Sequence, residues 1–152
     1  MGLGCPQVVF KMSRIDHIGI ATNNIDEASK FWHKIGLLSG EDHINYEQDV
    51  KIRMFYGKDK NGEKTFSKVE LIEALTENSP IAKFIQKRGV GIQQLAVSVN
   101  NIELLITNLK ESGIRMINTE PTIGAGGYKI AFVHPESTGG VLVELVERNE
   151  QE

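Results

Sequence analysis

Four polar residues stand inside short runs whose alternation otherwise reads as half-buried strand. They are His17 in Arg14-Ile-Asp-His-Ile-Gly-Ile-Ala, Gln94 in Gly91-Ile-Gln-Gln-Leu-Ala, Glu70 in Val69-Glu-Leu-Ile-Glu and Glu144 in Val143-Glu-Leu-Val-Glu. They fall at matching places in a duplicated pattern. Superposing Asn23-Asn24-Ile25 on Asn100-Asn101-Ile102 sets His17 on Gln94 and Gly36 on Gly113, and the two Val-Glu-Leu pieces set Glu70 on Glu144. If two copies of one unit are related by a pseudo-two-fold axis, an imidazole, an amide and two carboxylates converge in one cleft. Such a set can ligate a divalent ion and leave positions open for water or substrate. Mostly oxygen donors suit Mn²⁺, Co²⁺, Ni²⁺ or Mg²⁺, with Zn²⁺ also in range. Two carboxylates on facing strands repel each other unless a cation sits between them. Singly, each residue has a plainer reading, as a hydrogen-bonded strand histidine or a solvated strand glutamate. Their repeat-related placement is what favours the metal.

The elements that must position them follow from the same periodicities. Ile15–Ala21 alternates, with Ile18 and Ile20 on one face and His17, Gly19 and Ala21 on the other. Asn24 with Glu27 three residues on predicts a capped helix start, and Gly36 its end. A strand is expected from Leu37, a polar connection through Glu41–Asp49, then strands over Val50–Tyr56 and Phe66–Ala74 joined by an Asn61-Gly62 hairpin loop. Ser79-Pro80 opens a linking helix that Gly89 stops. The second half repeats the order: strand Ile92–Val99, helix Ile102–Ser112, strand Ile114–Asn118, a loop through Pro121–Gly127, and strands Tyr128–His134 and Val141–Glu147. Each half reads β-α-β-β-β. The expected fold is α+β, two βαβββ modules closing into one curved, mostly antiparallel sheet around a metal cleft. The expected boundaries are an extension at residues 1–13, one domain over 14–147 (modules about 14–77 and 91–147, linker helix about 79–89) and a tail at 148–152.

Composition agrees with a single core-forming domain: 152 residues, 40% of them hydrophobic. The net charge of −3, with basic residues dispersed, argues against a nucleic-acid surface. Cys5 alone cannot form an internal disulfide and fits a reducing compartment. No run approaches the ~20 apolar residues of a membrane span, and the first residues lack the pattern of a secretion signal. A cytoplasmic or organelle-matrix protein is expected. Gly124-Ala-Gly-Gly127 lacks the Lys-Ser/Thr of a phosphate loop, and His33, His43 and His134 read as surface or strand-end residues.

Taken together, Asp16-His-Ile-Gly-Ile-Ala, Val69-Glu-Leu-Ile-Glu, Asn78-Ser-Pro-Ile-Ala-Lys-Phe, Gly91-Ile-Gln-Gln-Leu-Ala and His134-Pro-Glu-Ser-Thr-Gly-Gly-Val-Leu-Val-Glu-Leu resemble the methylmalonyl-CoA epimerases of the vicinal-oxygen-chelate superfamily, which also holds glyoxalase I and extradiol dioxygenases. The resemblance covers about Ile15–Glu147. It implies metal ligands at His17, Glu70 and Glu144, and at Gln94, where the family usually writes histidine. It implies a homodimer and an acyl-CoA substrate, most simply methylmalonyl-CoA. Epimerisation there needs a Lewis acid for the enolate and a base on each face, roles given to Glu70 and Glu144. The strand Val50-Lys-Ile-Arg-Met-Phe lacks the additional acid some members carry, and Glu47 is its nearest substitute. The CoA phosphates are expected at Lys83, Lys87, Arg88 or Lys129 and at the backbone of the turn holding Ser137, Thr138 and Gly139. Two rivals are a glyoxalase-type lyase or isomerase on a thiol adduct, and a non-catalytic binder of a small molecule or CoA ester.

Overall fold

The computed structural model describes residues 13–149. The first module runs through β1 (Ser13–Ala21), α1 (Ile25–Lys34), β2 (Leu38–Asn45), β3 (Val50–Lys58) and β4 (Lys64–Ala74). After α2 (Pro80–Arg88), the second runs through β5 (Gly91–Val99), α3 (Ile102–Glu111), β6 (Thr122–Ile123), β7 (Lys129–Val133) and β8 (Val143–Glu147). The helix ends are set by the residues that the sequence marks. Asn24 Oδ1 accepts from Glu27 N–H at 3.0 Å, and Ser79 Oγ accepts from Ile81 N–H at 3.2 Å. Gly36 takes φ +96° just past α1, a conformation open to glycine at little cost.

The eight strands of the described residues form one sheet in the order β2-β3-β4-β1-β5-β8-β7-β6. β1 pairs with β4 and β5 with β8 in parallel, and the other neighbours are antiparallel. The sheet is therefore mostly antiparallel and curls until its two edge strands meet at one point, where Asn45 Nδ2 donates to Ile123 O at 3.4 Å. The module registers coincide. Gly19, two residues past His17, lies opposite Glu70, and Ala96, two past Gln94, lies opposite Glu144. The repeat read in sequence is thus repeated in hydrogen bonding. The antiparallel β1–β5 pair joins the modules at the centre of the sheet.

Along the central strands alternation sends one face to a helix and the other to the cleft. On the outer side, α1 packs through Ile25 over Phe55 and Leu71, while α3 packs Ile102 and Ile106 over Val99, Ala131 and Leu145. Each fully buried side chain of this size contributes about 1.5–3 kcal/mol. Among the described residues no helix is long and apolar enough to cross a membrane.

Several expected boundaries move. Residues 41–45, expected as connection, belong to β2, because an edge strand with solvent on both sides can be polar throughout. Ile114–Asn118 is not a strand. It makes one bridge, Met116 to Val133, and then Asn118 Oδ1 takes the Phe132 N–H at 2.8 Å in place of continued backbone pairing. The short β6 appears inside the expected 121–127 loop. Ser13, given to the extension, opens β1, and Arg148, given to the tail, bonds through its N–H to Val99 O at 2.9 Å. Cys5 and the rest of the extension lie outside the described residues.

Candidate metal centre

The four predicted residues are all buried, on the cleft face of the central strands: His17 on β1, Glu70 on β4, Gln94 on β5 and Glu144 on β8. One ligand atom each from His17, Glu70 and Glu144 lies within 4.8 Å of the others. His17 Nε2 is 3.2 Å from Glu70 Oε2 and 3.7 Å from Glu144 Oε2. Neither contact has hydrogen-bond geometry, so this buried nitrogen has no hydrogen-bond partner among the described residues. A buried polar atom left in that state is costly unless something else occupies the space between the groups. The other ring nitrogen is engaged: Nδ1–H donates to Asp16 Oδ1 at 2.7 Å.

The fourth residue joins differently. Gln94 reaches the cluster through Glu144, to whose Oε2 its amide Nε2 donates. Room for it comes from Gly19 opposite, where an added Cβ would fall 2.5 Å from Gln94 Cγ. In this arrangement Gln94 holds a carboxylate, and its own oxygen is not the atom turned to Glu144.

Charge explains the electrostatics. Among the described residues three buried carboxylates, Asp16, Glu70 and Glu144, stand near two permanent cations, Lys68 and Arg148, both of which pair with Asp16. Burial opposes charge on His17, but the Glu70 carboxylate and then Asp16 and Glu144 outweigh it and push the imidazole up to about 10. Burial also lifts the Glu70 carboxyl to about 7, with His17 pulling it down and Glu144 pushing it up. At Asp16 burial is outweighed by donors from His17, Arg148 and Lys68, which hold the carboxyl far below the usual carboxylate range. The metal-free cluster therefore retains a proton that a divalent ion would replace. A histidine nitrogen with no hydrogen-bond partner, set between two carboxylates, fits such an ion.

The cleft beside the cluster has a volume of about 400 Å³ and is lined by Glu70, Gln94 and Glu144 together with Val50, Ile52, Ile72, Phe132 and Leu142. Gln93, Asn118 and Glu47 add polar groups to its wall. The lining from β3 is apolar, Val50 and Ile52, and Glu47 from the β2–β3 connection adds a carboxylate to the same wall. A second depression shares Gln93, Gln94, Ile117 and Leu142 with the first and continues past Arg88, His134 and Gly140.

The expected CoA contacts divide. Lys83, Lys87 and Arg88 are on the exposed face of α2, whose first residues Pro80 and Ile81 line the cleft. Lys129 is turned to the outer side, its Nζ 2.5 Å from Glu103 Oε1 on α3, and does not line the cleft. Strand parity puts it opposite Ile130 and Phe132. The 135–140 turn consumes most of what it was expected to offer. The N–H groups of Ser137, Thr138 and Gly140 close it onto His134 and Pro135, Ser137 Oγ accepts from Arg115 N–H at 2.9 Å, and Thr138 Oγ1 bonds to Pro135 O and Val141 O. Gly139, at φ +77°, makes the reversal itself. The residue that strand alternation missed is Asp16.

Paired βαβββ modules curled around a buried histidine–carboxylate cluster define a class of small α+β proteins whose sheet forms both scaffold and site. The chain belongs to the Glyoxalase/Bleomycin resistance protein/Dioxygenase superfamily, whose family model matches residues 16–132. Among solved structures it is similar to a hypothetical protein of Bacillus halodurans C-125, at 44% identity over 93% of this chain and 99% of that one, with a TM-score of 0.84. It is also similar to the human mitochondrial methylmalonyl-CoA epimerase, 34% identical over 139 residues, or 90% of this chain and 75% of that protein. A substituted Streptomyces coelicolor methylmalonyl-CoA epimerase, solved in complex with 2-nitronate-propionyl-CoA, is 31% identical, covers 90% of this chain and 95% of its own, and superposes with a TM-score of 0.81.

Proposed function

We propose that the chain is a metal-dependent epimerase of an acyl-CoA ester, with methylmalonyl-CoA as substrate. The observation that carries the reading is the buried His17 Nε2 facing the Glu70 and Glu144 carboxylates beside a mostly apolar cleft. Relatives named for that epimerase activity, matched along most of this chain, supply the reaction class.

In this reading His17, Glu70 and Glu144 hold the ion, and Gln94 keeps Glu144 in place or lends its own oxygen. When bound, a divalent metal supplies Lewis acidity for the enolate that forms when the carbon between thioester and carboxylate loses its proton. Glu70 and Glu144 stand on strands at opposite sides of β1 and β5, where they act as the two bases. One accepts the α-proton, and the other, already protonated, returns a proton to the opposite face. The product leaves inverted, with the two acids' protonation states exchanged. Val50, Ile52, Ile72 and Phe132 exclude water and receive the methyl group. The pantetheine arm follows the second depression towards Arg88, with Lys83 and Lys87 near the phosphates. The active species is a homodimer, which light scattering would check.

The deciding experiment combines elemental analysis of the purified protein with proton–deuterium exchange at the α-carbon of methylmalonyl-CoA. Exchange that depends on a divalent ion is expected. Its absence with every ion tried would end the reading, and turnover of a hemithioacetal instead would move the chain to the glyoxalase branch.

A further inference from the structure

Asp16 is a fully buried carboxylate that the proposed proton transfers do not use. In an unbroken strand it would alternate with His17 and face outward. A β-bulge between Ile15 and His17, where Ile15 opposes Val97 and His17 opposes Ala96, leaves Asp16 as the extra residue. Both side chains are buried and bonded to each other. Oδ1 accepts His17 Nδ1–H at 2.7 Å and lies 3.2 Å from Lys68 Nζ, while Arg148 donates Nη2 to Oδ1 at 3.2 Å and Nε to Oδ2 at 2.9 Å. Lys68 precedes Glu70 by two residues on β4, and Arg148 follows Glu144 by four just beyond β8. The strands that bring carboxylates to one side of the imidazole thus also bring the cations that grip Asp16 on its other side.

A neutral imidazole can carry its proton on either nitrogen, and the partner of one nitrogen decides the state of the other. A carboxylate facing Nδ1 can only accept, so it keeps the proton there and leaves the Nε2 lone pair for a ligand. We propose that Asp16, gripped by Lys68 and Arg148, is the positioning residue of His17, fixing the tautomer and ring orientation in which Nε2 binds a divalent ion. The inference rests on the metal reading above and adds to it the group that prepares the ligand.

Two measurements on the full chain test it. In the Zn²⁺-loaded, ¹⁵N-histidine-labelled protein, His17 should show a protonated Nδ1 and a metal-bound Nε2; the opposite assignment overturns the proposal without any substitution. In competition titrations against a chromophoric chelator, Asp16→Asn should bind Zn²⁺ about 10–100-fold more weakly. Introduced into a His17→Gln background, Asp16→Asn should change affinity by less than about threefold, because its effect passes through the imidazole. Equal losses in both backgrounds would reduce Asp16 to a general charge and overturn the proposal. So would an Asp16→Asn protein that binds as tightly as the unmodified chain. Failure of the metal reading looks different: the unmodified chain itself then binds no divalent ion. Should Asp16→Asn not fold, the nitrogen assignment in the unmodified chain decides alone.

Discussion

A hydrogen atom in place of a side chain at residue 19 is what lets Gln94 lie across the cleft floor to Glu144. A methyl group there would stand 2.5 Å from Gln94 Cγ, in a site where Gln94 is 5% exposed. Gly19→Ala should cost about 1–3 kcal/mol in urea unfolding. Most of that loss should vanish in a Gly19→Ala, Gln94→Ala double variant, because the clash has then lost its partner. Gln94→His tests the site's metal preference. An imidazole in place of the amide adds a borderline-soft donor, so competition titrations should show tighter Zn²⁺ and Co²⁺ binding, by about tenfold relative to Mg²⁺. The four cluster residues were legible because duplication marks positions that a single strand would not. Asp16 was not, since a bulge changes parity without leaving a trace in the residue pattern. Lys129 carried its own warning, being out of phase with Ile130 and Phe132.

Arg53 shows how an edge strand is held. On β3 it donates Nε to Asp42 Oδ1 at 2.6 Å and Nη2 to Asp42 Oδ2 at 2.8 Å on β2, while reaching Ser29 Oγ and Asp26 Oδ1 on α1, each at 2.9 Å. The hydrogen bond from Arg53 is the main reason the Asp42 carboxyl is held below its usual 3.8, with burial opposing. A depressed carboxyl stabilises the fold above the unfolded-state pKa, and the contribution is lost as pH falls through the folded one. Stability followed from pH 5 downward should therefore drop in part through Asp42. Arg53→Met should flatten that acid limb and speed amide exchange in β2 before any other strand. Asp42 is about a third exposed, so the effect on global stability stays small, about 1 kcal/mol or less. The polar run over residues 41–45 looked like a connection because an edge strand need not alternate. The residues at 114–118 looked like a strand because Ile114 and Met116 do pack inward at alternate positions, although side-chain bonding by Asn118 replaces the ladder. The helices were easier, since caps and stops are spelled by single residues at fixed offsets.

At the scale of the molecule, the fold places its site on a seam. His17 and Glu70 come from one module and Gln94 and Glu144 from the other, so loading the site ties the modules together. Chelation should lower the melting temperature and added divalent ion should raise it. At about a hundredfold excess over the dissociation constant, the gain is about 2.7 kcal/mol. His17→Ala should abolish the dependence on ion concentration in a thermal shift series.

The rim has the opposite character. Where the outermost strands approach, the amide of Asn45 and the carbonyl of Ile123 form one long, exposed hydrogen bond. Such a clasp is worth about 1 kcal/mol at most. If the cleft takes an acyl thioester as proposed, bulkier acyl chains would spread the half-barrel there without disturbing the His17, Glu70 and Glu144 cluster, so tolerance for chain length would be governed at the lip. Asn45→Ala should leave turnover of the smallest thioester unchanged and improve that of branched or longer ones.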